Sequence, residues 1–231
     1  MSTNHLIPFS FPRLPNVGCA FGTAIHEHGG EKDTKNRKNP AISRSTNFAA
    51  RRELSQVHGT FVFFEPAEED RMKEGDGLAT SSAGEGLIIR TADCQPILAA
   101  HKSGKYVLAL HCGWRGNRDG FPESGIRKFC AFYDLNPGDL MVVRGPSLGP
   151  GCSHFHDFDE HWPRSMRGYF HAPTGCMNLW HLTRDQLLQA GVQAKNIFSL
   201  DLCTMCLNSH FFSYRRDKDR RRMENIIWIK Q

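Results

Sequence analysis

The chain has 231 residues, 39% hydrophobic and 23% charged, with 16 Phe, 4 Trp and a formal net charge of +5. It is long enough to bury a core without disulfide staples, and its apolar content excludes wholesale disorder. The mild positive excess suits anionic or phosphate-bearing ligands without demanding nucleic acid as a partner.

Residues 1–20, with Pro8, Pro12 and Pro15 close together, read as an irregular lead-in to a strand. Residues 26–53 are polar and basic, from His26 and His28 through Lys32, Arg37 and Arg44 to Arg51 and Arg52. They read as a solvated loop with a short helix. Thr60–Phe64 is a short apolar strand. The acidic, glycine-containing stretch 65–77 reads as a connector with solvated charges. Gly86–Arg90, Pro96–Ala100 and Tyr106–His111 are brief apolar runs bounded by Gly and Lys, the pattern of buried strands. Ser124–Leu135 carries Ile126, Phe129, Cys130 and Tyr133 at helical spacing and is stopped by Asn136-Pro137-Gly138. Leu140–Val143 is a further strand, and Asn178–Gly191 is a second helix through Trp180, Leu182, Leu187 and Leu188. Ile197–Leu202 and Ile226–Ile229 are late strands. No repeat appears, and one strand does not alternate regularly with one long helix. This favours a mixed α/β or α+β fold over a doubly wound parallel sheet.

The chain carries 8 Cys and 12 His. Eight cysteines in a small secreted chain would suggest four bridges. Met1–Phe11 has no basic segment followed by an apolar one, as a signal peptide would, and no apolar run is long enough to cross a bilayer. The expectation is a cytoplasmic protein with free thiols and no membrane partner.

Three segments then stand out: Gln56-Val57-His58-Gly59, Thr91-Ala92-Asp93-Cys94-Gln95-Pro96 and His111-Cys112-Gly113-Trp114-Arg115-Gly116. Each puts a metal-capable residue at a strand end beside Gly or Pro, where sites are usually held. His58 and Cys94 are 36 residues apart, and Cys94 and His111 are 17 apart. These spacings exclude a zinc finger, whose ligands come in close pairs, and suit a site assembled from separate strands. Two His and one Cys would leave zinc a fourth position for water or substrate. Taken singly, each residue reads first as structural, because a lone Cys is most often a small buried hydrophobe and a lone His a hydrogen-bonded surface or core residue.

The same segments resemble the signatures of the YfiH/YlmD family, whose members have been labelled laccase domain proteins, polyphenol oxidases and purine nucleoside phosphorylases. Gly145-Pro146-Ser147-Leu148-Gly149-Pro150 is similar to the family's GPSIGP. Leu202-Cys203-Thr204-Met205-Cys206 and Phe211-Phe212-Ser213-Tyr214-Arg215-Arg216-Asp217 are similar to its CT-x-C and FFSYRRD tail. The match runs from Gln56 to Ile229, so residues 1–231 are expected to form one domain, with 1–55 divergent and 56–231 carrying the motifs.

The resemblance implies an α+β (mixed α/β) fold of packed mixed sheets flanked by helices. It implies zinc on His58, Cys94 and His111, with copper less favoured because multicopper centres need many more His. It also implies phosphorolysis of purine nucleosides (adenosine, inosine, guanosine, methylthioadenosine), accompanied by adenosine deamination. The chain would act as a monomer or homodimer. Phosphate would want Arg for its planar fork of donors, and Arg115 follows His111 closely. Arg115 reads equally as a structural ion pair. Arg37, in an Asn-Arg pair before His58, is carried over as a substrate residue. The family's Ser-Leu-Asn segment upstream and its Cys-Tyr-Glu run after GPSLGP have no counterpart, since Cys152-Ser153-His154 follows here.

Two other readings stay open. One is a Cys–His hydrolase or amidase of peptidoglycan-precursor editing, with Cys94 as nucleophile and His111 as base. The other is a metal-binding protein without turnover. Cys203-x-x-Cys206 has no second CxxC and is given no metal; Cys19, Cys112, Cys130, Cys152 and Cys176 default to packing. The basic run Arg215–Arg222, broken by Asp217 and Asp219, reads as a solvated loop with an ion pair at Arg215 or Arg216.

Overall fold

The structure, a computed structural model, describes residues 6–24, 48–218 and 220–231. Its strands in chain order are β1 (Leu6–Pro8), β2 (Val17–Gly22), β3 (Ala50–Arg52), β4 (Val62–Phe64), β5 (Gly77–Thr80), β6 (Glu85–Thr91) and β7 (Gln95–His101). There follow β8 (Val107–Cys112), β9 (Leu140–Arg144), β10 (Phe170–His171), β11 (Cys176–Met177), β12 (Ile197–Ser199) and β13 (Met223–Ile229). One mixed sheet has the order β1-β2-β13-β6-β3 and another the order β12-β9-β7-β8-β5-β4; β10 and β11 form a hairpin. The expected fold of packed mixed sheets with flanking helices is the one observed.

Alternation with period two explains the layers. Leu98, Ala100, Val107 and Ala109 point into a core shared with Phe21, Leu87, Ile89 and Ile227 of the five-stranded sheet. Their neighbours Ile97, Ala99, Leu108 and Leu110 point the other way, onto Phe121, Ile126 and Phe129 of the helix Phe121–Tyr133 and Leu187 of the helix Leu179–Gln189. Runs such as Val107–Cys112 therefore read as continuously apolar because both faces are covered. On the outer face of the five-stranded sheet, Ala20, Ile88, Ile226 and Trp228 form a smaller cluster. Gly18 is required there, because a Cβ would lie 2.1 Å from the Trp228 ring.

Three expectations need correction. The lead-in 1–20 is not irregular throughout: Leu6–Pro8 pairs antiparallel with Val17–Gly22, and Val17–Gly22 is buried beside β13. The late strand from Ile197 ends at Ser199, where its pairing with β9 stops. The connector 65–77 is not simply solvated. Asp76 in it is 0% exposed, and Glu65 accepts hydrogen bonds from Thr80, Ser81 and Tyr133. Residues 25–47, the greater part of the basic stretch with its expected short helix, lie outside the described residues, as does Arg37. Among the described residues no helix is long and apolar enough to cross a membrane.

Candidate metal centre

His111 sits in β8, one residue from its end, on the same side of the strand as Ala109 and Val107, facing the inter-sheet core. Cys94 lies in the turn between β6 and β7, and His58 lies in the loop that leads to β4. The three sequence-predicted ligands come together: one ligand atom from each lies within 4.8 Å of the others. The His58 and His111 rings meet edge to face, with centroids 4.8 Å apart.

Each segment is held by main-chain and side-chain bonds. Gln56 docks the His58 loop on β6 as a strand would: its Nε2 donates to Arg90 O and its Oε1 accepts from Arg90 N, both at 2.8 Å. His58 then adopts a left-handed conformation with φ 63°, and Asp93, just before Cys94, has φ 89°. Such conformations cost about 1–3 kcal/mol each and persist only where the surroundings enforce them. For Asp93 the enforcing partners are the Thr204 hydroxyl and the Arg215 N–H, which donate to its carboxylate at 2.8 and 2.6 Å. For His58 the partner is Asp76. Its carboxylate accepts from the N–H groups of Val57, His58 and Gly59 at 3.3, 3.0 and 2.6 Å, and it bonds His111 Nδ1 at 2.7 Å. That last bond leaves Nε2 of His111 for a metal, the arrangement in which a carboxylate fixes the ring of a ligating histidine. Gly113 closes the site, since a Cβ there would stand 2.9 Å from His58 Cδ2 and 3.1 Å from Cys94 Sγ.

The group is strongly coupled electrostatically. Burial alone pushes the Cys94 thiol up, but the charge and hydrogen bond of His111, with help from His58, pull it down to about 6. Burial disfavours charge on His111, yet Cys94 and Asp76 outweigh it and raise the ring to about 9. Burial likewise opposes ionisation of Asp76, and the His111 bond and the loop N–H groups hold it below the usual carboxylate range. The metal-free arrangement is therefore a thiolate, an imidazolium and a carboxylate packed together. A divalent cation would take the place of that positive ring charge, so the donor set fits a metal ion.

Arg115 is exposed, on the short helix Trp114–Arg118, with its guanidinium over the Trp114 ring at 4.6 Å. Arg216 does form the expected ion pair, with Asp217 at 2.6 Å, and also donates to Thr204 O and Met205 O. Cys19, Cys112, Cys130 and Cys176 are buried, as packing requires, whereas Cys152 is drawn to Cys203 and Cys206. Two residues of the centre were missed. Asp93 lies inside the TADCQP motif, where the neighbouring thiol is the metal-capable group, and Asp76 stands between Gly75 and Gly77 with nothing in the local pattern to mark it.

The chain is also similar to known proteins. Residues 23–230 match the family described as multi-copper polyphenol oxidoreductase laccase. The purine nucleoside phosphorylase YfiH of Escherichia coli (strain K12) is 32% identical over 182 residues, covering 76% of this chain and 72% of that protein. The purine nucleoside phosphorylase YlmD of Geobacillus stearothermophilus (strain DSM 13240 / CIP 106956 / 10) is 32% identical over 156 residues, covering 62% of this chain and 55% of that protein. The crystal structure of the hypothetical protein YfiH of Bacillus licheniformis superposes with a TM-score of 0.83 at 24% identity, covering 99% of this chain and 97% of that one. With a family model matched over most of its length and a relative 32% identical over 76% of it, this chain belongs to the laccase-domain family of YfiH and YlmD.

Proposed function

We propose that the chain is a zinc-dependent purine nucleoside phosphorylase, with His58, Cys94 and His111 as the zinc ligands. The observation that carries this reading is the convergence of these three donors, with His111 oriented by Asp76. The names of the relatives, purine nucleoside phosphorylases at about 30% identity, support the reaction class. Two imidazoles and one thiolate suit zinc with one open position. Multicopper chemistry asks for more imidazoles than this group holds. When bound, the ion supplies Lewis acidity and a fixed positive charge for an anion.

The chain's own residues do the rest. Asp76 holds the His111 proton at Nδ1 and so fixes the tautomer. Gly113 leaves room at the centre, and Asp93 fixes the turn that carries Cys94. Arg115, with Arg37, would offer phosphate its donors. In phosphorolysis a phosphate oxygen bonds to the anomeric carbon, the glycosidic C–N bond breaks, and the purine leaves with a proton. Holding phosphate and nucleoside in line supplies much of the acceleration. Adenosine deamination at the same centre would accompany it.

The test pairs zinc analysis with phosphate-dependent release of hypoxanthine from inosine. His111→Ala should lose one equivalent of zinc and the activity together. Full phosphorolysis by metal-free protein would overturn the reading. One observation favours a second reading, a Cys–His amidase: Cys94 is a ready thiolate beside His111. Inactivation of amide hydrolysis by iodoacetamide but not by a chelator would favour that chemistry.

A further inference from the structure

Cys152, Cys203 and Cys206 converge away from the centre described above. Their three Sγ atoms lie within 4.8 Å of one another, with Cys152 and Cys206 at 3.4 Å. Two loops are zipped together to make this happen. Ser147 N donates to Leu202 O and Thr204 N donates to Ser147 O, each at 3.1 Å. Cys152 N then donates to Gly149 O at 2.9 Å, which turns its side chain back toward the CTMC turn. Gly149 is required for the approach, because a Cβ would stand 3.0 Å from Cys203 Cβ and 3.1 Å from its Sγ.

Main-chain N–H groups converge on Cys203, whereas burial and the bonds to Cys206 and Cys203 push the Cys152 thiol up in the absence of an ion. Gly149 N–H donates to Cys203 Sγ at 3.2 Å, and the N–H groups of Met205 and Cys206 also point at that sulfur. Bonds from N–H groups to an anionic acceptor are the stronger kind. Arg216 places its charge on the same turn through Thr204 O and Met205 O, at 3.0 and 3.1 Å. Cys206 is exposed, so an ion has a way in. Metal–sulfur bonds of about 2.3 Å put the sulfurs of a tetrahedral or trigonal site roughly 3.8–4.0 Å apart, a spacing this trio reaches by small shifts.

We propose that Cys152, Cys203 and Cys206 form a second metal site, binding a thiophilic d10 cation, Zn2+ or Cu+, on three sulfurs. The cation adds to three thiols, up to three protons leave to solvent, and no electron is transferred. The third ligand comes from 51 residues before the CxxC pair, which is why no second CxxC is needed. The set has sulfur donors alone, so it is softer than the His58, Cys94 and His111 set. Bound metal would tie the 145–152 loop to the 203–206 turn. Through the Thr204 hydroxyl on Asp93, that turn also buttresses Cys94.

The test uses the full chain under reductant, supplied with Zn2+ or with Cu+. The Cys94→Ser variant should still bind one equivalent of at least one of the two ions. Adding Cys206→Ser to it should weaken that binding roughly tenfold or more. In wild-type protein, metal should slow alkylation of Cys152, Cys203 and Cys206, mapped by mass spectrometry; this readout needs no variant to fold. The inference is overturned if Cys94→Ser binds neither ion, or if metal leaves alkylation of the trio unchanged. A Cys152–Cys206 disulfide in place of metal would overturn it too. The readout is metal on sulfur rather than turnover, so it fails or stands independently of the phosphorylase reading.

Discussion

Asp76 joins two parts of the centre that are distant in sequence. Its carboxylate takes three N–H groups of the His58 loop and the Nδ1 of His111. Asp76→Asn keeps the shape but removes the charge that orients and polarises His111. Metal affinity should fall by about 10–100-fold, read by chelator competition. Cys94 supports a second prediction at this scale. In the metal-free chain its thiol ionises near 6 instead of the ordinary 9.0, so the thiolate persists until the pH falls through about 6. Iodoacetamide should therefore label Cys94 at nearly full rate at pH 7. The rate should drop as pH falls below about 6; a rate that fades already below about 9 would contradict the geometry. The three ligands were legible because each sits in a motif that resembles one of the family's; spacing alone left them open, and His58 lies in a loop and not at a strand end. Asp76 was not legible, because its role comes from a through-space bond 35 residues from His111 in sequence.

At the scale of elements, strands were legible where both faces are apolar, as in β6, β7 and β8. The two long helices were legible from their 3,4 spacing, to within a few residues at each end. Strand β5, Gly-Leu-Ala-Thr, was not: it is short, begins with glycine, and becomes a strand by pairing with β8 and β4. Glycine there serves close approach, since a Cβ on Gly77 would meet Val62 and Leu110 at 2.8 and 2.9 Å. The junction of β8 with the Trp114–Arg118 helix makes the same demand on Gly113. Its φ of −77° suits any residue, so only the space toward His58 and Cys94 forbids a side chain. Gly113→Ala should weaken metal binding roughly as much as loss of an orienting partner, by about 10–100-fold, while circular dichroism stays unchanged. Unaltered affinity would show that the ligands can retreat from a methyl group.

For the whole molecule, stability resides in the apolar layer between the sheets. Phe21 is fully buried there and lies so close to the β9 loop that a Cβ on Gly145 would meet its ring at 2.3 Å. Phe21→Ala should cost about 3–5 kcal/mol in urea unfolding, the usual range for emptying a buried aromatic site. Metal acts on the same equilibrium by mass action. An ion that binds only the folded state adds about 2.7 kcal/mol at a hundredfold excess over Kd. For a chain of this size that is a rise of roughly 5–10 °C in Tm, read by calorimetry with and without chelator. The layered mixed fold was legible in outline from interspersed elements and from family motifs. The pairing order was not, because β13 inserts between β2 and β6, a contact between the two ends of the chain.

The four bonds gathered by Asp76 also bear on how metal comes and goes. The His58 loop and the His111 strand are locked together by the protein's own hydrogen bonds, so two of the three candidate ligands are held in place by Asp76 and not by an ion. A zinc finger, by contrast, folds around its metal and unravels without it. Loading of an ion here would therefore be expected to need no refolding of these two segments. Stripping and refilling should cycle without denaturation, at a pace set by ligand exchange and not by refolding. In amide hydrogen exchange, Val57, His58 and Gly59 should already be slow in the stripped protein, and metal should add little to their protection.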